Sequence, residues 1–387
     1  MSLSINYNLR HILAKKTTNS LTILGVALVV FVFISSLMLA SGLEKTLAAT
    51  GSKNNLIVLR TGAQNEIQSG VTRDHAAIVL SQPEVTLTPE GKPFGTSDVV
   101  ALINIKKRSN GKPSNVTIRG VNLTNIGVRD GVKIRDGRLP APGTNEVMVG
   151  NAIHEKFVNT NIGQQLRIVG INWQVVGVFD AGQTGFSSEI WGDSDILMSA
   201  FKRERFSSIT FRLQNPAQYT AVKERIENDR RLTVVVKREQ DFYAEQSSAL
   251  ATFIRYLGTF VTIIFSLGAI VGAMITMYSA VAGREREIGT LRALGFGRAT
   301  ILLGFLKESA LISSIGGLLG IVAASLMQLV TFSTTNFRTF SDLTFGFSIN
   351  LRIVVYGLAF ALVMGVLGGL LPAWKAARVK VVDALRS

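Results

Sequence analysis

The chain has 387 residues, of which 47% are hydrophobic and 17% charged, and its mean hydropathy is +0.32; this balance is typical of an integral membrane protein. The net charge of +15 is concentrated beside the apolar segments, as the positive-inside rule requires, which argues against nucleic-acid binding. The sequence has no cysteine, which excludes disulfides, thiolate metal sites and a lipoprotein anchor.

The chain begins with a short basic segment, residues 1–20, followed by an apolar helix over residues 21–43. About 20 apolar residues suffice to cross a bilayer. A cleaved signal peptide is the alternative, but the apolar run exceeds the roughly 7–15 residues of a signal core. We therefore predict an uncleaved first span.

Residues 44–252 read as a large α+β domain inserted between the first two spans, with helical extensions of both spans at its ends. Thr72 is predicted to cap a helix through Leu80, and Asn215-Pro216 to start one through Arg230. The order of elements indicates a β-rich insertion at about residues 144–200. The predicted strands are residues 56–61, 99–105, 116–121, 146–149, 166–171, 174–179, 209–213 and 232–236.

No pattern in this domain indicates catalysis. The three histidines of the chain are isolated, and neither HExxH nor GxSxG occurs. A P-loop is also missing, so we predict no catalytic residue, no metal site and no cofactor in this chain. A group of acidic residues among glycines lacks the spacing of an EF-hand and is interpreted as a solvated loop: Asp180, Glu189, Asp193 and Asp195.

Three further spans follow, at residues 253–282, 301–331 and 352–373, with a short outer loop at 332–351 and a tail at 374–387. Lys and Arg concentrate in the first segment, in the loop after the second span and in the tail. Both termini and that loop are therefore predicted to face the cytoplasm, and residues 44–252 the outside.

The spans carry no central charge, which argues against a polar pathway through them. Lys307 and Glu308 lie near the cytoplasmic end of the third span, where long side chains can snorkel to the surface. Glycines spaced four apart in the last three spans allow close helix packing, within one subunit or between two. These pairs are Gly268 and Gly272, Gly316 and Gly320, and Gly365 and Gly369.

The cytoplasmic segment at residues 283–300 reads as a short amphipathic helix. An apolar stripe is predicted through Val281, Ile288, Leu291 and Leu294, with charged residues on the other faces. Composition leaves two interpretations open: a basic helix lying at the lipid headgroups, or a contact through which a partner pushes on the spans.

The residue order of this segment resembles the FtsX/MacB-type permease domain of ABC transporters. The family's Arg-Glu-Ile-Gly run and following Ala-Leu-Gly match residues 286–289 and 293–295, and Glu308 matches a glutamate of its third span. The ending LPAWKAARVKVVDALRS, at residues 371–387, matches the family's usual ending. Residues 119–121, 137–140, 146–150 and 175–179 resemble its periplasmic core domain.

The resemblance implies a mechanotransmission (type VII) permease subunit in the bacterial inner membrane. ATP and Mg²⁺ would be bound by a separate ABC ATPase, because MacB itself carries a fused N-terminal ATPase and only 20 residues precede the first span here. Further implied partners are a second permease copy or a paralogue, a periplasmic adaptor or other envelope protein, and membrane lipid. The implied output is export or extraction of an envelope substrate; FtsX-like control of a cell-wall hydrolase and LolCE-like lipoprotein release stay open. The implied ATPase-coupling residues are Arg284, Glu285, Arg286, Glu287, Ile288, Gly289, Leu291, Arg292, Leu294, Gly295 and Arg378.

Overall fold

The structure is a computed structural model that describes residues 16–336 and 339–379. Predictions for residues 1–15, for Arg338 and for the tail beyond residue 379 lie outside the described residues. The chain forms two compact units. The helical unit contains residues 16–41, 252–330 and 347–379, and the inserted domain contains residues 42–251 together with 331–346.

The first helix, α1, spans Lys16–Ala48 and is followed by the elements of the inserted domain. Its strands are β1 Asn55–Arg60, β2 Gly95–Lys106, β3 Pro113–Val121, β4 Lys133–Gly137, β5 Glu146–Gly150, β6 Gln165–Ile168, β7 Ile171–Asp180, β8 Glu189–Asp193, β9 Ser208–Arg212 and β10 Val234–Arg238. Its helices are α2 Arg73–Leu80, α3 Asn151–Lys156, α4 Ser194–Ala200 and α5 Tyr219–Glu227. Strands occur in all eight predicted regions, and β4 and β8 are additional to them.

Most elements differ from the prediction by a few residues at their ends, and two differ further. The strand expected at residues 166–171 divides into β6 and β7, because Val169 and Gly170 have φ values of 51° and 79° and form a turn. The helix expected through Arg230 begins as a 3₁₀ turn at Pro216–Gln218 and ends at Glu227. The predicted Thr72 cap is confirmed, since its hydroxyl accepts a hydrogen bond from the His75 N–H at 3.3 Å.

One long sheet organises the domain, in the order β10-β1-β9-β2-β3-β8-β5-β7-β4, with β6 also paired to β7. β2 joins its two halves, because residues 95–98 pair with β9 and residues 99–106 with β3. Separate apolar cores lie on the β1–β9–β10 half and on the β3–β5–β7 half. β1 is buried on both faces: Leu56 and Val58 face the first core, whereas Ile57 and Leu59 face a third core with Trp191.

The helical unit continues with α6 Glu239–Ala282, α7 Glu285–Ala293, α8 Arg298–Ser325 and α9 Leu351–Ala377. Among the described residues, helices α1, α6, α8 and α9 are long and apolar enough to cross a membrane. The predicted fold, four spans with a large α+β domain between the first and the second, is thereby confirmed.

Two of the three glycine pairs pack inside the helical unit. A Cβ at Gly316 or Gly320 would collide with the α1 backbone, and one at Gly365 or Gly369 with serines of α8. The Ser309 hydroxyl of α8 also donates a hydrogen bond to the Gly365 carbonyl at 2.6 Å. The pair at 268 and 272 on α6 differs, because a Cβ at either position would meet nothing within 4 Å.

The loop expected at residues 332–351 contains a β-hairpin. Strand β11 Thr331–Thr335 pairs antiparallel with β12 Asp342–Gly346. This hairpin belongs to the inserted domain, although the chain on either side of it belongs to the helical unit.

Candidate coupling site

The charged residues at the two ends of helix α7 stabilise it. Glu285 and Glu287 occupy its first turn and Arg292 its last, which complements the helix dipole. The helix ends in a Schellman motif: the Phe296 N–H donates to the Leu291 carbonyl and the Gly295 N–H to the Arg292 carbonyl, both at 3.1 Å. Gly295 has φ of 93°, a conformation that favours glycine, so the sequence fixes this end of α7.

The buried face of α7 is narrower than the predicted stripe. Ile288 is 2% exposed and packs with Val281, Phe305 and Ala373 of the three neighbouring helices. Gly289 is buried and Leu291 half-buried. Leu294 does not continue the buried face of the stripe: it is 73% exposed, because the helix ends at Ala293 and the chain turns before it.

Arg284, immediately before α7, is bound to Glu308 of α8. Its two terminal nitrogens donate to the two carboxylate oxygens at 2.8 and 3.0 Å, and both side chains are buried. A bidentate pair fixes orientation as well as distance. The expectation that Glu308 snorkels is therefore wrong, since a buried partner stabilises its charge in place of water.

The other end of α7 is bound to α9. The Arg292 guanidinium donates to the Ala377 carbonyl at 2.9 Å, one of the last carbonyls of α9 and so without a partner in its own helix. Arg378, next along the chain, stacks on the Trp374 ring at 4.0 Å. Thus Arg284 fixes the beginning of α7 to α8, and Arg292 fixes its end to α9.

The outward face of α7 is polar with one large apolar side chain. Glu285 is half-buried, whereas the exposed positions are Arg286, Glu287, Thr290, Ala293, Leu294 and Gly295. The predicted site residues therefore divide into a buried, fixing set and an exposed set on a single short helix. Among the described residues, no group of three His, Asp or Glu side chains could hold a metal ion.

A second polar cluster, which the sequence did not indicate, lies inside the inserted domain. Arg119 of β3 is 1% exposed and binds Glu66 and Glu189 with paired hydrogen bonds of 2.7 to 2.9 Å. Burial alone would raise the pKa of Glu66, but the Arg119 charge and its hydrogen bonds lower that pKa to about 2. The neighbouring charges of Glu189 and Glu66 outweigh burial and raise the pKa of Arg119.

The interpretation of the acidic group as a solvated loop is wrong: Asp180 ends β7 and Asp195 lies in α4, although both side chains are exposed. Glu189 belongs to β8 and is buried against Arg119, and Asp193 caps α4 by accepting from the N–H groups of Asp195 and Ile196. The only sequence signal is an arginine next to apolar residues in a predicted strand, because its acidic partners lie 21, 53 and 70 residues away.

The same cluster extends to the points where the chain enters and leaves the domain. Glu239, the first residue of α6, accepts from the Ser52 N–H at 3.0 Å and from the Asn55 amide at 2.9 Å, and also pairs with Arg129. A Cβ on Gly51 would lie 2.6 Å from the backbone at Glu239, so only glycine permits this approach. The two chain ends of the domain are therefore held together at one buried junction.

The chain matches known families along nearly its whole length. Residues 20–229 match the MacB-like periplasmic core domain and residues 259–381 the FtsX-like permease C-terminal domain. It is 26% identical to the uncharacterized ABC transporter permease YknZ of Bacillus subtilis, over 99% of this chain and 98% of that protein. It is 25% identical to the macrolide export ATP-binding/permease protein MacB of Bdellovibrio bacteriovorus, over 96% of this chain but only 60% of that protein. The solved periplasmic region of MacB from Actinobacillus actinomycetemcomitans is 14% identical, with a TM-score of 0.38 over 50% of this chain and 92% of that one.

Proposed function

The chain belongs to the ABC transporter permeases that combine a MacB-like periplasmic core domain with an FtsX-like C-terminal domain, and we propose that it converts ATP hydrolysis in a separate ATPase subunit into movement of the inserted domain. ATP and Mg²⁺ would be bound in that partner. The movement would drive export or extraction of an envelope substrate on the outer side of the membrane.

The observation that carries this proposal is the fixing of α7 at both ends. A force applied to its exposed face reaches α8 through the Arg284–Glu308 pair and α9 through Arg292 and the Ala377 carbonyl. A helix that only lay at the headgroups would need neither contact. The charged and apolar residues of the exposed face supply groups that a protein surface can bind.

Names of the relatives support a division of labour between two chains. YknZ, which this chain covers from end to end, is called a permease, whereas the longer MacB relative is called an ATP-binding/permease protein. The lack of a P-loop in the present sequence agrees with ATP binding elsewhere.

We infer that α7 and both termini face the cytoplasm of a bacterial inner membrane and that the inserted domain faces outward, from the distribution of Lys and Arg. Because the chain has no cysteine, single cysteines can report the topology. A membrane-impermeant maleimide should label Glu204→Cys in intact cells and Thr290→Cys only after lysis; the reverse pattern would refute the orientation.

A second permease copy is the proposed partner within the membrane. The glycines at 268 and 272, with α1 residues such as Leu24 and Leu28, line an apolar groove of about 510 Å³. Small residues facing an open groove suit the close approach of another helix. The other two glycine pairs are already covered by helices of the same chain.

The experiment is co-purification with a co-expressed ABC ATPase, followed by ATPase measurement in lipid nanodiscs. Glu287→Lys reverses a charge on the exposed face of α7 and should abolish stimulation of the ATPase while the protein still folds, since a substitution at an exposed position usually changes stability by only about 0.5 kcal/mol. Glu204→Lys, an exposed charge reversal in the inserted domain, is the matched control. If the wild-type chain failed to retain the ATPase, the proposed function would be refuted.

The output on the outer side is tested by what the inserted domain captures from envelope extracts. An adaptor protein supports export, a bound lipoprotein supports release of LolCE type, and a cell-wall hydrolase supports regulation of FtsX type. Capture of a cell-wall hydrolase would refute the transport function but would not contradict the proposed role of α7 in coupling.

A further inference from the structure

The β11–β12 hairpin between the third and fourth spans is held against the inserted domain. A two-stranded hairpin on its own is at best marginally stable in water. Here β12 lies against β3 and the 3₁₀ turn Gly185–Ser188, and Asp342, Leu343 and Phe345 of β12 are about 5% exposed. Docking on the domain therefore supplies the order that the hairpin lacks by itself.

An ion pair fixes the turn end of the hairpin, where Asp342 begins β12. Lys107, just beyond β2, binds the Asp342 carboxylate, and the Ser114 hydroxyl of β3 donates to the same carboxylate at 3.3 Å. The Asp342 side chain is only 4% exposed. A buried carboxylate is costly without a partner, so Lys107 is what allows β12 to place this charge against the domain.

A second lysine joins both strands of the hairpin. Lys156, the last residue of α3, donates to the Ser333 hydroxyl of β11 at 2.6 Å and to the Thr344 hydroxyl of β12 at 2.9 Å. These two residues are cross-strand partners. The Thr344 N–H in turn donates to the Ser188 hydroxyl at 3.1 Å. Burial lowers the pKa of Lys156, as expected for an ammonium that has exchanged water for hydroxyl partners.

We propose that this docked hairpin is a third mechanical connection to the inserted domain, besides α1 and α6, and that Lys107 and Lys156 are its positioning residues. The hairpin is continuous in sequence with α8 before it and α9 after it, the two helices to which α7 is fixed. Force received by α7 thus has a continuous path to β2, β3 and α3 that does not run through α1 or α6. This inference rests on the proposed function.

The test uses the full chain with its ATPase in nanodiscs and follows hydrogen–deuterium exchange of the inserted domain with and without ATP and vanadate. Ser114→Cys with Asp342→Cys removes the ion pair but permits a disulfide in a chain without other cysteines. We expect the nucleotide-dependent exchange difference in β2, β3 and α3 to be lost in the reduced protein and restored in the oxidised one. Equal differences in both states, with the disulfide verified by mass, would overturn the inference.

Charge variants provide an independent arm. Lys107→Asp should lose the exchange difference while ATP hydrolysis continues, and combining it with Asp342→Lys should restore the difference by re-forming the ion pair. Lys133→Asp, on the exposed strand β4, is the matched control and should behave as wild type.

A wild-type complex with neither ATPase stimulation nor an exchange difference would refute the proposed function as well. A normal wild-type response, together with normal Lys107→Asp and Lys156→Met responses, would refute the hairpin connection alone.

Discussion

At the scale of single residues, Arg119 binds two carboxylates in the interior of the inserted domain. Its guanidinium donates from Nη1 and Nη2 to Glu66 and from Nε and Nη2 to Glu189. Its Nη1 also donates to Asp98 at 3.1 Å. Replacing one member of a buried ionic cluster leaves the others charged and without compensation. Arg119→Met should therefore destabilise the inserted domain by about 3–5 kcal/mol, measured as urea unfolding of the detergent-solubilised chain by tryptophan fluorescence.

The matched control is Arg138→Met. Arg138 also forms a bidentate ion pair, with Glu146, but this pair lies at the surface. Solvent replaces a lost surface pair, so this variant should unfold close to wild type. Equal midpoints for the two variants would show that burial adds nothing to the Arg119 cluster.

Residue-scale prediction from the sequence succeeded where a signal was local and failed where partners were distant. The Thr72 cap needs only the next turn of helix and was predicted correctly. The polar and glycine-rich sequence around Glu189 predicts a solvated loop, whereas the environment of Glu189 is set by Arg119, 70 residues away. Only the pairing of β3 with β8 brings the two together.

At the scale of elements, the bidentate pair between Arg284 and Glu308 should be what makes α7 and α8 move as one body. Glu308→Gln leaves Arg284 buried without a counter-charge, at a cost of roughly 3–5 kcal/mol for a broken buried pair. We expect retained binding of the ATPase, since the exposed face of α7 is unchanged, but loss of its stimulation. Co-purification and ATP hydrolysis in nanodiscs measure the two quantities separately.

Charge exchange provides the control for this prediction. Arg284→Glu combined with Glu308→Arg restores opposite charges at the same positions and should recover part of the stimulation. Full stimulation in Glu308→Gln would mean that force reaches the spans without this pair.

The position of α7 could be predicted from periodicity and charge, but not its end or its attachments. In the sequence, the apolar stripe at 3.6-residue spacing continues through Leu294. In the structure, the Schellman motif at Gly295 ends the helix at Ala293, one residue before Leu294. The attachment of Arg292 to the Ala377 carbonyl joins residues 85 apart in sequence and leaves no local pattern.

At the scale of the whole molecule, the four spans and the inserted α+β domain follow from lengths of apolar sequence, which are local properties. The docking of residues 331–346 on the inserted domain is not a local property, since a short polar loop and a short polar hairpin have the same composition. The contacts of Lys107 and Lys156 with β12 show that this segment is a docked hairpin and not a free loop.

The proposed second copy is also argued at this scale, from the glycines that the chain leaves uncovered. Gly272→Cys places a thiol in the open groove of α6, where a helix of another copy would lie close. Oxidation in membranes should then give a product of twice the 41.8 kDa monomer on a non-reducing gel. Leu318→Cys, on a 53% exposed position of α8, is the control and should stay monomeric. Equal cross-linking of both variants would indicate random collision in the bilayer, and failure of Gly272→Cys alone would exclude this groove as the contact between copies.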